Sequence, residues 1–154
     1  METQYTWKTK MFSSKFDIYR YENLTSELKK EGFSRKTYGE MNSKKFLFLT
    51  KGFLKHQTQI INQADESIIG TISFNFWKSK SQISYNNKEY NWQFDNFWRT
   101  RWSLGNENGY LVRYQSHGFR GTIDSYTDDP VLVLAGFFIR NYYRQRQAES
   151  AAAS

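Results

Sequence analysis

Two pairs of cations, each separated by one residue, are the side chains of this chain best placed to hold a ligand: Lys8-Thr9-Lys10 and Arg99-Thr100-Arg101. On an extended strand, side chains two residues apart share a face, so each pair could grip one phosphate through charge-assisted hydrogen bonds. The competing reading, a solvated outer face, is the weightier for both pairs. The second pair lies within Phe97-Trp98-Arg99-Thr100-Arg101-Trp102, which interleaves aromatics with cations as surfaces that stack on single-stranded nucleic acid do. Against nucleic acid stands a packing argument. Trp98 and Trp102 can turn inward as core while the arginines face water, and an aromatic-rich β domain favours that use of its rings.

Other chemistry is thinly represented. The two histidines, His56 and His117, lie in different segments without a ligand-spaced neighbour, and both read as surface residues. The adjacent acids Asp128 and Asp129 could bind a metal or move a proton, but they precede Pro130 and an apolar run, where a helix cap explains them better. The chain has no cysteine, which excludes a disulfide scaffold, a thiolate metal site and a cysteine nucleophile, and fits a reducing, cytoplasmic location. Glycine-rich phosphate loops, Gly-x-Ser-x-Gly and His-Glu-x-x-His are all missing. The expectation is a non-enzymatic protein with no cofactor and no metal.

A net charge of +7 directs attention to anionic partners, either phosphorylated headgroups or nucleic acid. The opening residues carry no basic segment followed by an apolar run, so no signal peptide is expected. Hydrophobic residues make up only 38% of the 154, while aromatics reach 19%, so the core is built from few, large side chains. Strands accommodate such residues well.

Eleven candidate strands follow at the spacing of an all-β domain: residues 5–12, 15–21, 35–41, 44–50, 57–63, 68–77, 82–85, 89–94, 99–104, 110–115 and 119–126. Residues 25–31 read as one helical turn. Gly70 marks a bend or bulge in the strand where Ile68, Gly70, Ile72, Phe74 and Phe76 alternate with Ile69, Thr71, Ser73, Asn75 and Trp77. Asn86-Asn87 suits a tight turn, and Tyr90, Trp92 and Phe94 share a face of the strand that follows.

The last element differs from the rest. The nine positions Val131 to Ile139 circle a helix axis about two and a half times without one polar side chain. A run this short is well below the roughly 17 to 25 residues that cross a bilayer, so no transmembrane segment is expected and the helix must be enclosed by protein. Beyond Ile139 the pattern narrows to Tyr142 and Tyr143, with Arg140, Asn141, Arg144 and Arg146 opposite, as if the helix leaves its enclosure and its arginines face the negative end of the helix dipole. An eight-stranded barrel is just filled by side chains, so a helix about 10 Å across needs more strands. The fold class expected is mainly β: a closed antiparallel barrel of about 11–12 strands around a buried C-terminal hydrophobic helix. A helix sandwiched between a sheet and a partner subunit is the alternative. One domain covers residues 1–147, its central helix 130–146, with 148–154 a disordered or appended tail.

Four segments carry a likeness to known proteins: Ile69-Gly70-Thr71-Ile72-Ser73-Phe74; Trp102-Ser103-Leu104 with Leu111-Val112-Arg113-Tyr114; Gly121-Thr122-Ile123; and Asp129 through Ile139. Together they resemble the tubby C-terminal-like superfamily, which includes LURP-one-related proteins and phospholipid scramblases. The resemblance spans residues 5–146 and is one of architecture, not of a catalytic signature. It implies a barrel with trimmed strands and loops, since the chain is shorter than typical tubby domains. It further implies phosphoinositide binding by basic side chains, as in tubby domains, or action at membranes, as in scramblases. The family's basic pair with one residue between has two echoes here, Lys8/Lys10 and Arg99/Arg101. The function expected is binding of anionic lipid headgroups or phosphorylated ligands at a basic barrel rim. A protein-interaction module without a small ligand, and single-stranded nucleic-acid binding through residues 97–102, are the alternatives.

Overall fold

The computed structural model describes residues 2–11, 13–31, 35–51 and 57–153; His56 and the strand end expected at Phe12 lie outside them. Twelve strands follow one another: β1 Thr3–Thr9, β2 Lys15–Arg20, β3 Asn23–Lys30, β4 Lys36–Met41, β5 Lys44–Lys51 and β6 Gln57–Asn62, then β7 Ser67–Asn75, β8 Lys80–Tyr85, β9 Lys88–Phe94, β10 Arg101–Asn106, β11 Gly109–Ser116 and β12 Arg120–Ser125. Each pairs antiparallel with its neighbour in the chain, and β1 closes the barrel on β12, with Tyr5 opposite Ile123 and Trp7 opposite Gly121. An even count is what allows this. With an odd number of up-and-down strands the first and last would run parallel.

The twelfth strand is the segment expected to be a helical turn. Residues 25–31 carry helix formers, Leu, Glu and Lys, but Ser26 and Leu28 point into the lumen and the segment fills the gap between β2 and β4. Strand pairing overrides a weak local propensity here. The expected bulge falls beside Gly70: Ile60 faces Gly70 while Ile61 faces Ile68, leaving Ile69 unmatched. That extra residue moves Ile68 to the outer surface, off the face it was expected to share with Ile72. Asn86 and Asn87 adopt φ of 54° and 59°, as their two-residue hairpin requires.

The helix α1, Pro130–Ala153, enters the barrel from β12. Asp129 caps it, accepting from the Val131 amide at 3.0 Å, and Pro130 occupies the first turn, where its missing donor is not needed. Residues 130–140 are buried without interruption, which confirms the enclosed apolar helix and makes a partner subunit unnecessary for covering it. Lumen residues pack on it from all sides. Phe137 meets Trp7 and Phe16 edge-on, each at 5.1 Å between centroids, and Phe138 stacks on Phe48 at 4.8 Å. Hydrogen bonds fix its depth: Tyr114 Oη donates to the Val133 carbonyl at 2.7 Å, Trp92 Nε1 to that of Gly136 at 3.0 Å, and Tyr143 Oη to that of Lys80 at 2.7 Å.

Two expectations about the helix end need correction. Enclosure does not stop at Ile139, because Arg140 is only 3% exposed and Tyr143 is also buried. Nor are residues 148–153 of the expected tail structureless, since the helix runs on to Ala153. The last turn contains no basic residue, and Arg140, Arg144 and Arg146 sit mid-helix, so the dipole does not account for them.

Candidate functional site

Alternation of strand direction sorts the connections into two rims. The entry rim, where α1 goes in, holds the turns β2–β3, β4–β5, β6–β7, β8–β9 and β10–β11; the exit rim holds the other six connections. Counted over described connections and the strand residues flanking them, the exit rim carries eleven Lys and Arg against two acids, Glu31 and Asp95. The entry rim, with Glu2 and the segment leading to α1, carries three against seven. The net positive charge is thus concentrated at one end, and Arg144 and Arg146 of α1 emerge through it, while Arg140 stays buried just inside.

Two neighbouring connections of the exit rim hold three of the four most exposed aromatics among the described residues; the fourth, Tyr21, is at the entry rim. Trp77, in β7–β8, is 95% exposed; Phe97 and Trp98, in β9–β10, are 88% and 78% exposed. These loops are held by defined contacts. Asn75 Oδ1 accepts from the Lys78 amide at 3.2 Å, and Asn96 Oδ1 accepts from the amides of Thr100 and Arg101, both at 3.0 Å. A bond from Arg99 Nη2 to Ser79 Oγ, 2.9 Å, joins one loop to the other, while the guanidinium lies over Phe94 at 4.9 Å. Trp98 was expected to pack inward from a strand starting at Arg99. That strand starts at Arg101, and Arg99 takes a φ of 58° in the loop, which leaves Trp98 outside; Trp102 does pack inward, fully buried.

The structure does not unite the predicted cations. Lys8 is exposed on β1 with its ammonium 5.6 Å from the Tyr19 ring, and Lys10 lies just past the strand end. Arg99 belongs to the connection and Arg101 opens β10, so this pair does not share one strand face. Strands β11 and β12 separate the two pairs around the rim. His117 is exposed in β11–β12. Among the described residues no group of three His, Asp or Glu could hold a metal ion. A surface depression of about 310 Å³ lies at the entry rim beside Glu2, Arg20 and Tyr21, away from these cations.

Arg140 had no distinguishing signal in the sequence. Its guanidinium carbon lies 5.4 Å from the Trp7 ring and 4.8 Å from the Trp102 ring, with Nη2 donating to Ser116 Oγ at 3.2 Å and Nη1 to Asn141 Oδ1 at 3.1 Å. Burial, and after it the like charge of Arg144, pull this guanidinium down to about 9. Nε of Arg140 and Nε1 of Trp102 are buried without a hydrogen-bond partner. Farther along α1, Arg146 covers the Phe76 ring at 3.8 Å, and Tyr142 stacks on Phe74 at 4.5 Å, which ties the emerging helix to the β7–β8 side of the rim.

No helix among the described residues is long and apolar enough to cross a membrane. Comparison with known proteins found no matching family model, no similar curated protein and no similar solved structure.

Proposed function

We propose that the protein is a non-enzymatic, tubby-like binding module whose exit rim associates with anionic phospholipid headgroups or related phosphorylated ligands. The observation that carries this reading is the segregation of charge, eleven cations against two acids on one rim and the reverse bias on the other. A field of that shape attracts a negatively charged surface and orients the molecule as it approaches. The lumen is filled by α1, so a ligand belongs at the rim and not inside the barrel. The closed antiparallel barrel around a C-terminal helix supports the tubby-like likeness at the level of architecture. A cytoplasmic location fits the reading, because anionic lipid is concentrated in the leaflet facing that compartment.

Flotation with phosphatidylserine-containing and pure phosphatidylcholine vesicles tests it. Retention on the anionic vesicles alone, falling as salt rises, is the expected result. Equal retention on both would overturn the reading. Competition by a soluble inositol phosphate distinguishes recognition of a particular headgroup from attraction to a charged surface.

A further inference from the structure

Resting on that reading, we infer that Trp77, Phe97 and Trp98 form an insertion wedge that enters the interfacial layer of an anionic phospholipid membrane, with cations behind it on the phosphates. Three nearly bare rings on two adjacent, mutually bonded loops form a patch of a kind that a water-soluble surface rarely carries without a partner. Tryptophan and phenylalanine are the residues that settle at the boundary between headgroups and acyl chains. The layering of the loops matches that boundary: aromatic rings occupy the tips, while Arg99 is held back against Ser79 and Phe94, and Lys80 and Arg101 open the strands beneath.

Charge complementarity selects lipid over a protein partner, because the wedge projects from the rim where cations outnumber acids most. Ring geometry selects lipid over single-stranded nucleic acid. Phe97 and Trp98 stand edge to face at 82°, so they present no pair of parallel platforms to successive bases, and Trp102 is buried. The ten residues of α1 after Tyr143 extend about 15 Å at the helical rise per residue. The barrel therefore docks tilted onto its β7–β10 side instead of end-on.

The wild-type protein carries its own reporter, since Trp7, Trp92 and Trp102 are buried and only Trp77 and Trp98 can meet lipid. With phosphatidylserine vesicles containing brominated acyl chains, its tryptophan emission should shift to the blue and be quenched. A Trp77→Ser/Phe97→Ser/Trp98→Ser variant, which leaves every charge in place, should bind at least about tenfold more weakly in flotation, yet keep its salt-sensitive attraction. Salt-sensitive vesicle binding by the wild type without quenching, and with unchanged affinity in the triple variant, would overturn the wedge and leave the basic-rim reading standing. No binding to anionic vesicles at all would overturn both. Loss in the triple variant of oligonucleotide binding, or of a concentration-dependent dimer, without any lipid quenching would assign the rings to those partners and overturn the proposal.

Discussion

Arg140 stands where the apolar helix meets the exit rim, and among the described residues it makes no ion pair. Two indole faces and two neutral acceptors hold it, which offsets only part of what an ion loses on leaving water. Its folded value of about 9 lies well below that of a free guanidinium, so the folded state binds this proton less tightly than the unfolded chain. The penalty is fully present below pH 9 and is relieved as pH rises above it. Arg140→Met keeps the shape and removes the titration. Between pH 8 and 10 the wild type should gain on the order of 1 kcal/mol on this variant in parallel urea titrations. A difference that stays constant would show the guanidinium protonated throughout. Gly136 faces the opposite demand, of space: a methyl there would lie 2.7 Å from Tyr114 Cζ and press on the hydroxyl that bonds the Val133 carbonyl. Gly136→Ala should cost about 1–3 kcal/mol, read as a lower urea midpoint at unchanged slope.

The elements show which signals a sequence carries and which it does not. The helix was legible because nine apolar positions leave no face for water, and its cap because Asp129-Pro130 has one natural place. β3 was not, since Leu24 to Lys30 combines helix-forming residues with only two inward side chains, and what makes it a strand is the neighbours it pairs with. That one miss hid the site. In an up-and-down barrel each strand reverses the chain, so omitting β3 sends every later connection to the wrong end and scatters the basic rim across both. Trp98 and Arg140 escaped for local reasons: one lies a turn before its strand, and the other is an arginine held inside by indole rings. Two predictions follow at this scale. Leu134→Asp sets an unpaired charge at the fully buried midpoint of the plug and should abolish the cooperative transition seen by circular dichroism; a folded monomer would refute the enclosure. Ending the chain at Gln147 takes away, among the described residues, only helix already outside the barrel, so the melting midpoint should stay where it is, within the change about 0.5 kcal/mol produces.

For the whole molecule, the proposed function turns on the orientation imposed by charge, and the two rims provide their own control. Exposed cations on both rims contribute equally to net charge, but only those of the exit rim face the surface in the docked orientation. Lys78→Glu with Arg101→Glu therefore should weaken binding to phosphatidylserine vesicles by about tenfold or more, each cation near an anionic surface being worth about 1 kcal/mol. Lys44→Glu with Lys88→Glu changes the net charge by the same amount at the entry rim, beside a surplus of acids, and should weaken binding far less. Neither pair borders the buried Arg140 or the helix cap, so both variants should melt with the wild type. Sedimentation with vesicles at a series of salt concentrations separates the outcomes: a shallower salt dependence for the exit-rim pair alone locates the contact there. Equal losses from both pairs would mean that total charge, and not its placement on the barrel, governs association.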